Sequence, residues 1–144
     1  MQIHRVTSDE WDLWRDLRLE ALACDPGGFG STLAREQAFT EDYWRESVGR
    51  GLKLVALAPG PAGLVGAFAD SVGLQLYSMW VRDTHRGRGV GEALVKTVLE
   101  WAAEHGWKVV RLRVYDHNLP ARRLYERLGF TKAAEPEFME FQVS

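Results

Sequence analysis

The chain has 144 residues, of which 46% are hydrophobic and 26% charged, and a formal net charge of -2 at pH 7. That length suits one domain with a sizeable core, and that composition excludes a disordered or fibrous chain. No run of five basic residues is present to track nucleic acid, and no apolar stretch has signal-peptide or bilayer-spanning length. Cys24 is the only cysteine, so an internal disulfide is impossible and a reducing, cytoplasmic setting is expected, with Cys24 as a small buried or semi-buried side chain.

Gln2–Val6 reads as a short strand, and Thr7 with Glu10 forms a capping box that opens a helix. Trp14, Leu17 and Ala21, with Leu13 alongside, give that helix an apolar face, and Asp25-Pro26-Gly27-Gly28 stops it. Phe29–Phe39 lacks periodicity and reads as loop, after which Thr40 caps a second helix to about Arg50. Leu52–Ala58, Ala62–Asp70 and Gly73–Val81 are strand candidates separated by Pro59-Gly60-Pro61 and a turn at Ser71 to Gly73, the pattern of an antiparallel meander.

Val90, Leu94, Val98 and Trp101 then repeat at helical spacing as far as Gly106. Val110, Leu112 and Val114 alternate with Arg111 and Arg113 in the next strand, so Gly73 to Tyr115 is a β–α–β passage that implies a parallel pair. Ala121, Leu124, Tyr125 and Leu128 form one face of a helix capped by Asn118 and stopped by Gly129, and Phe130–Ala134 and Phe138–Val143 close the chain as strands. With no repeat or linker, residues 1–144 read as one α/β domain. An exposed final strand would offer an edge for a homodimer.

The run Arg86-Gly87-Arg88-Gly89-Val90-Gly91 lies between a strand and the most regular helix, so unpaired N–H groups and the helix dipole make it an anion site. The phosphate loop of NTPases is absent, because no Gly-Lys-Ser or Gly-Lys-Thr ending follows a glycine at the required spacing. The dinucleotide fingerprint fails as well: five positions after Gly87 stands Glu92, where glycine or alanine is needed. A pyrophosphate of another cofactor fits the physics.

Arg86, Gly89 and Gly91 satisfy the Arg/Gln-x-x-Gly-x-Gly/Ala motif, and Asn118-x-x-Ala121-x-x-x-Tyr125-x-x-x-Gly129-Phe130 follows downstream. In these features, which cover about half of it, the chain resembles the GNAT (GCN5-related N-acetyltransferase) superfamily. Asp83 departs from the pattern, standing where many members have proline. The resemblance implies the GNAT acyl-CoA N-acyltransferase fold, a mixed central sheet of six to seven strands with about four helices. It also implies acetyl-CoA as acyl donor, no metal, and a primary amine as acceptor. By the same resemblance Arg86, Gly87, Arg88, Gly89, Val90 and Gly91 would surround the pyrophosphate, and Met79, Trp80 and Val81 would end the strand that pairs with the pantetheine arm. Asn118 would reach the pantetheine or acetyl region, and the Tyr125 hydroxyl would face the CoA sulfur as the acid for the departing thiolate.

Plainer roles stand beside these: Asn118 as helix N-cap, Tyr125 as packed aromatic, Arg88 as a solvated charge. Backbone N–H groups near Met79 and Val114 are expected to stabilise an oxyanion. Glu36, Asp70 and His85 are the candidates for a general base. Phe29-Gly30-Ser31-Thr32 is the expected acceptor loop, with Ser31 and Thr32 as its polar groups. Tyr77 and Trp80 alternate with Ser78 and Met79, which leaves open which side chains face the pocket. A CoA-binding sensor without catalysis is the competing reading.

Overall fold

The structure, a computed structural model, describes residues 1–27 and 29–144. Gly28, in the expected helix stop, lies outside the described residues. The chain runs β1 (Gln2–Arg5), α1 (Trp11–Cys24), α2 (Leu33–Gln37), α3 (Glu41–Gly49), β2 (Leu52–Leu57), β3 (Pro61–Ala69), β4 (Leu74–Val81), α4 (Val90–Glu104), β5 (Val109–Arg113), α5 (Leu119–Arg127), β6 (Thr131–Lys132) and β7 (Phe138–Gln142). The strands form one sheet in the order β1-β2-β3-β4-β5-β7-β6. Only β4 and β5 are parallel, joined by α4 as the β–α–β spacing requires.

Local chemistry explains most boundaries. The Thr7/Glu10 capping box is present and opens a 3-10 turn, Ser8–Glu10, that leads into α1. Thr40 Oγ1 accepts from the Tyr43 N–H at 3.1 Å and so caps α3. The segment expected as loop contains α2, whose N-cap Thr32 accepts from the Arg35 N–H. Five residues are too few to display a helical repeat, which is why periodicity passes over it. The strand expected over Phe130–Ala134 contracts to Thr131–Lys132.

Both faces of the sheet are covered. Leu52, Leu54, Val65, Leu74 and Leu76 pack beneath α4, with Leu94, Val95 and Val98. On the other face Val55, Leu64 and Trp80 meet Trp14, Leu17 and Ala21 of α1 and Trp44 and Val48 of α3. Two expectations are corrected here. Cys24 is exposed at the end of α1 instead of buried. The final strand is not an edge, because β7 lies between β5 and β6 and pairs with both.

Lys53 is the one charged side chain turned into the α1-facing layer from β2, at 3% exposure. Its ammonium donates to the Arg50 carbonyl at 2.8 Å and lies 5.8 and 5.5 Å from the Trp14 and Tyr77 ring centres. Burial, aided by the Arg50 charge, pushes its pKa from 10.5 down to about 8. The unfolded chain therefore binds more protons than the folded one between those values, and stability must rise with pH across that window. The melting-temperature difference between wild type and Lys53→Met is expected to shift in favour of wild type from pH 7 to pH 10. A pH-independent difference would show that Lys53 stays charged when folded.

Candidate active site

β4 and β5 pair only at Leu74 with Val110 and Gln75 with Arg111, then part. Beyond the last β5 partner, β4 carries a bulge: Tyr77 faces Gly66 and Trp80 faces Leu64, so Ser78 and Met79 together oppose Val65. Ser78 sits at φ 58, a left-handed conformation uncommon outside glycine. The extra residue inverts the side-chain alternation. Tyr77 and Trp80 thus share the α1 face, whereas Met79 and Val81 pack with the α4-side core.

A cleft of about 610 Å³ opens beside the split, lined among others by Met79, Trp80, Val81, Arg86, Gly87, Gly89, Val90, Gly91, Asn118 and Tyr125. A second cavity of about 140 Å³ is lined by Tyr77, Ser78, Leu112, Arg113, Val114 and Tyr115. Phe29, Met79, Asn118, Ala121 and Tyr125 line both. Of the ten residues expected at the cofactor, Arg88 alone is outside the cleft lining. It is exposed and makes no ion pair among the described residues.

The glycine turn has the features of an anion cradle. Gly87 and Gly89 take φ 75 and 80, and Gly89 is the N-cap of α4. The helix ladder begins with the Ala93 N–H to the Gly89 carbonyl at 3.0 Å, so the N–H groups of Val90, Gly91 and Glu92 have no intrahelical acceptor. A Cβ on Gly91 would come within 2.7 Å of Met79 Cε, so glycine there keeps the backbone open to the cleft.

Arg86 acts as a local clamp. Its Nε donates to the Val81 carbonyl at 2.9 Å, and its guanidinium pairs with Asp83 at 2.8 Å and Asp25 at 3.3 Å. Asp25 also accepts from Trp80 Nε1 at 2.6 Å, which ties the end of α1 to the end of β4.

Asn118 Oδ1 accepts from the Ala121 N–H at 3.3 Å, the expected N-cap, which leaves its amide NH₂ for another partner. Tyr125 is 6% exposed, with its ring 5.6 Å from that of Phe130. Burial pushes the Tyr125 pKa up, so the hydroxyl keeps its proton at neutral pH. Among the described residues it has no hydrogen-bond partner, yet it is not among the fully enclosed unpaired polar groups, so it reaches the cavity wall.

Other expectations are corrected. The Val114 N–H is taken by the Glu137 carbonyl at 2.8 Å and is not free for an oxyanion. Asp70 accepts from the Val72 and Gly73 N–H groups in the β3–β4 turn and lines neither cavity. His85 lines the larger cleft, with Nδ1 2.9 Å from Thr84 Oγ1 and Nε2 3.1 Å from the Ala58 carbonyl, so both ring nitrogens are engaged.

Glu36 is buried in a two-pronged pair with Arg18, at 3.0 and 2.9 Å. Burial alone would raise the Glu36 carboxyl, but hydrogen bonds from Arg18 and Ser31 and the Arg18 charge outweigh it and hold the pKa below its ordinary value. That carboxylate is a poor proton acceptor. Arg18 itself carries no signal in the sequence, since an arginine on an amphipathic helix reads as solvated until the partner element is known. Of the expected acceptor loop, Phe29 reaches both cavities and Thr32 is committed to capping α2.

With this geometry in place, comparison with known families is decisive: a sequence model described as the acetyltransferase (GNAT) family matches residues 14–130. The chain belongs to the GNAT family. Human N-acetyltransferase 8B is 42% identical over 65 residues, 45% of this chain and 29% of that protein. The chain thus spans less than a third of the length of the human and rat relatives of this kind. A GNAT-family acetyltransferase from Streptococcus pneumoniae superposes with a TM-score of 0.81 at 17% identity, covering 99% of both chains. The PaiA N-acetyltransferase of Thermoplasma acidophilum, solved in complex with coenzyme A, gives 0.72 at 15% identity over 98% of both chains. The resemblance implied a mixed sheet of six to seven strands with about four helices; among the described residues the sheet has seven strands and the α-helices number five.

Proposed function

We propose that residues 1–144 act as one GNAT N-acetyltransferase domain that passes an acetyl group from acetyl-CoA to a primary amine by direct attack in a ternary complex. The observation that carries this reading is the meeting of two cavities at the β4–β5 split, with Phe29, Met79, Asn118, Ala121 and Tyr125 common to both. The larger has a glycine turn at a helix N-terminus suited to a pyrophosphate, and the smaller has room for the end of an acceptor.

The residues present fit a CoA-type donor. Gly87, Gly89, Val90 and Gly91 would hold its phosphates through main-chain N–H groups, with Arg86 clamping the turn. β4 has no β5 partner beyond Gln75, so the main chain of Met79 and Val81 would take the extended arm as an added strand. When bound, acetyl-CoA supplies an acetyl thioester whose cleavage by an amine releases a thiolate. Tyr125 holds a proton on its hydroxyl oxygen at the junction, where it can stabilise charge developing on that sulfur. Direct transfer is favoured because, among the described residues, no cysteine lines either cavity and Ser78 is tied to Arg18 at 2.5 Å. Glu36 and Asp70 are both engaged away from the junction, so the amine arrives deprotonated or loses its proton to water.

Thiol release from acetyl-CoA across a panel of amines tests the proposal. Release with at least one amine, first order in both substrates at low concentration, is the expected result. Tight CoA binding with no release for any amine would replace the enzyme reading with that of a sensor.

A further inference from the structure

We infer that Arg18 is a positioning residue for acetyl transfer, holding Ser78 in the left-handed conformation that sets the β4 bulge. The inference rests on the transfer reading above and deepens it. Arg18 lines neither cavity, yet it touches two residues that line the smaller one. Its NH1 donates to Ser78 Oγ at 2.5 Å, and its guanidinium carbon lies 4.8 Å from the centre of the Phe29 ring. Its remaining donors are fixed by Glu36, so the fork cannot turn away from Ser78 without breaking a buried pair whose side chains are 11% and 7% exposed.

The position of Ser78 matters because the bulge decides which side chain stands beside the glycine turn. With the bulge, Met79 packs beside Gly91 and lines both cavities, while the Trp80 indole turns to the α1 face and bonds Asp25. In a regular strand the alternation would return to period two, and Met79 and Trp80 would exchange faces. The indole would then occupy the space beside the glycine turn. A non-glycine residue resists a positive φ, so something must hold Ser78 there, and the Arg18 hydrogen bond does so.

This account predicts a specific pattern of rescue. Ser78→Gly adopts the conformation without a tether, so its kcat should fall less than that of Ser78→Ala. Arg18→Lys loses the fork and should lower kcat about tenfold, with the KM for acetyl-CoA within about twofold, because the phosphate turn is untouched. Ser78→Ala, which leaves the buried ion pair intact and keeps the fold testable, should lower kcat similarly. The double variant Arg18→Lys/Ser78→Gly should return to within about threefold of wild type.

Wild-type amine-dependent thiol release comes first: no release with any amine sinks the transfer reading and this inference with it. Given release, a Ser78→Ala enzyme as fast as wild type, or a double variant no faster than Arg18→Lys, overturns the positioning role and leaves the transfer reading standing.

Discussion

Tyr125→Phe is expected to lower kcat by roughly 10²-fold while acetyl-CoA affinity stays within about twofold of wild type. The substitution removes only the hydroxyl, and the ring keeps its packing against Phe130. The size of the loss follows from where the hydroxyl ends. Tyr125 lines both cavities and its hydroxyl has no partner among the described residues, which leaves its hydrogen bond for whatever occupies their junction. Its raised pKa refines the role. A free thiol has a pKa of about 8.5 and a free phenol about 10, and burial moves Tyr125 further up. The phenol is thus a weaker acid than the thiol, and its main contribution is a short hydrogen bond to developing negative charge, with proton transfer completed late. It follows that the wild-type to variant ratio should be flat from pH 6 to 9, since the hydroxyl is neutral throughout. Steady-state kinetics across that range checks both statements. A ratio that collapses toward one near pH 9 would mean a Tyr125 titrating well below its buried value, and a ratio of one at every pH would remove the residue from the chemistry.

The parts of this fold that could be read from sequence are those whose cause is local. α4 shows its apolar repeat over fifteen residues, the Thr7, Thr40 and Asn118 caps lie within three residues of the N–H groups or side chains they serve, and the glycine turn is contiguous. The features that escaped arise from contacts between distant segments. Arg18 meets Glu36 across 18 residues and Ser78 across 60, and neither spacing marks the chain in advance. Glu36 looked like a candidate base because its burial with Arg18 is a tertiary fact. The β4 bulge is invisible to period-two reading, which treats Tyr77 to Val81 as regular alternation and so leaves the phase of Trp80 open. The insertion of β7 between β5 and β6 is a matter of topology, and the sequence order of strands does not disclose it. What was legible lines the larger cleft. The smaller cavity draws Phe29, Tyr77, Arg113 and Tyr115 from distant segments that share no motif, and of these only Phe29 and Tyr77 were singled out beforehand.

The donor assignment can be put at risk most sharply at Gly91, where binding and stability are expected to move in opposite directions. Gly91 is the second residue of α4, and a glutamate there gains helix propensity over glycine and places a carboxylate at the positive end of the helix dipole. Together these are worth roughly 1 kcal/mol in favour of the folded state. The new side chain starts toward Met79 and Leu124, and its closest neighbour, Met79 Cε, is the flexible end of a side chain that can yield. In the cleft, however, the carboxylate faces the space assigned to the pyrophosphate. The existing acid at this helix end, Glu92, is offset by Lys96 at 3.9 Å and Arg127 at 3.6 Å. Two unit charges about 6 Å apart at an effective dielectric of about 20 repel by roughly 3 kcal/mol, or about 10²-fold in affinity. Gly91→Glu should therefore melt no lower than wild type and bind acetyl-CoA about 10²-fold more weakly, with part of the loss recovered in high salt. Gly91→Gln, of the same size but neutral, separates charge from bulk: it should lose far less, and its affinity should follow that of wild type as salt is raised. Calorimetric titration of the two variants against wild type reads this directly. Equal losses for glutamate and glutamine would reduce the effect to steric blockage, and wild-type affinity in Gly91→Glu would place the phosphates somewhere other than this turn.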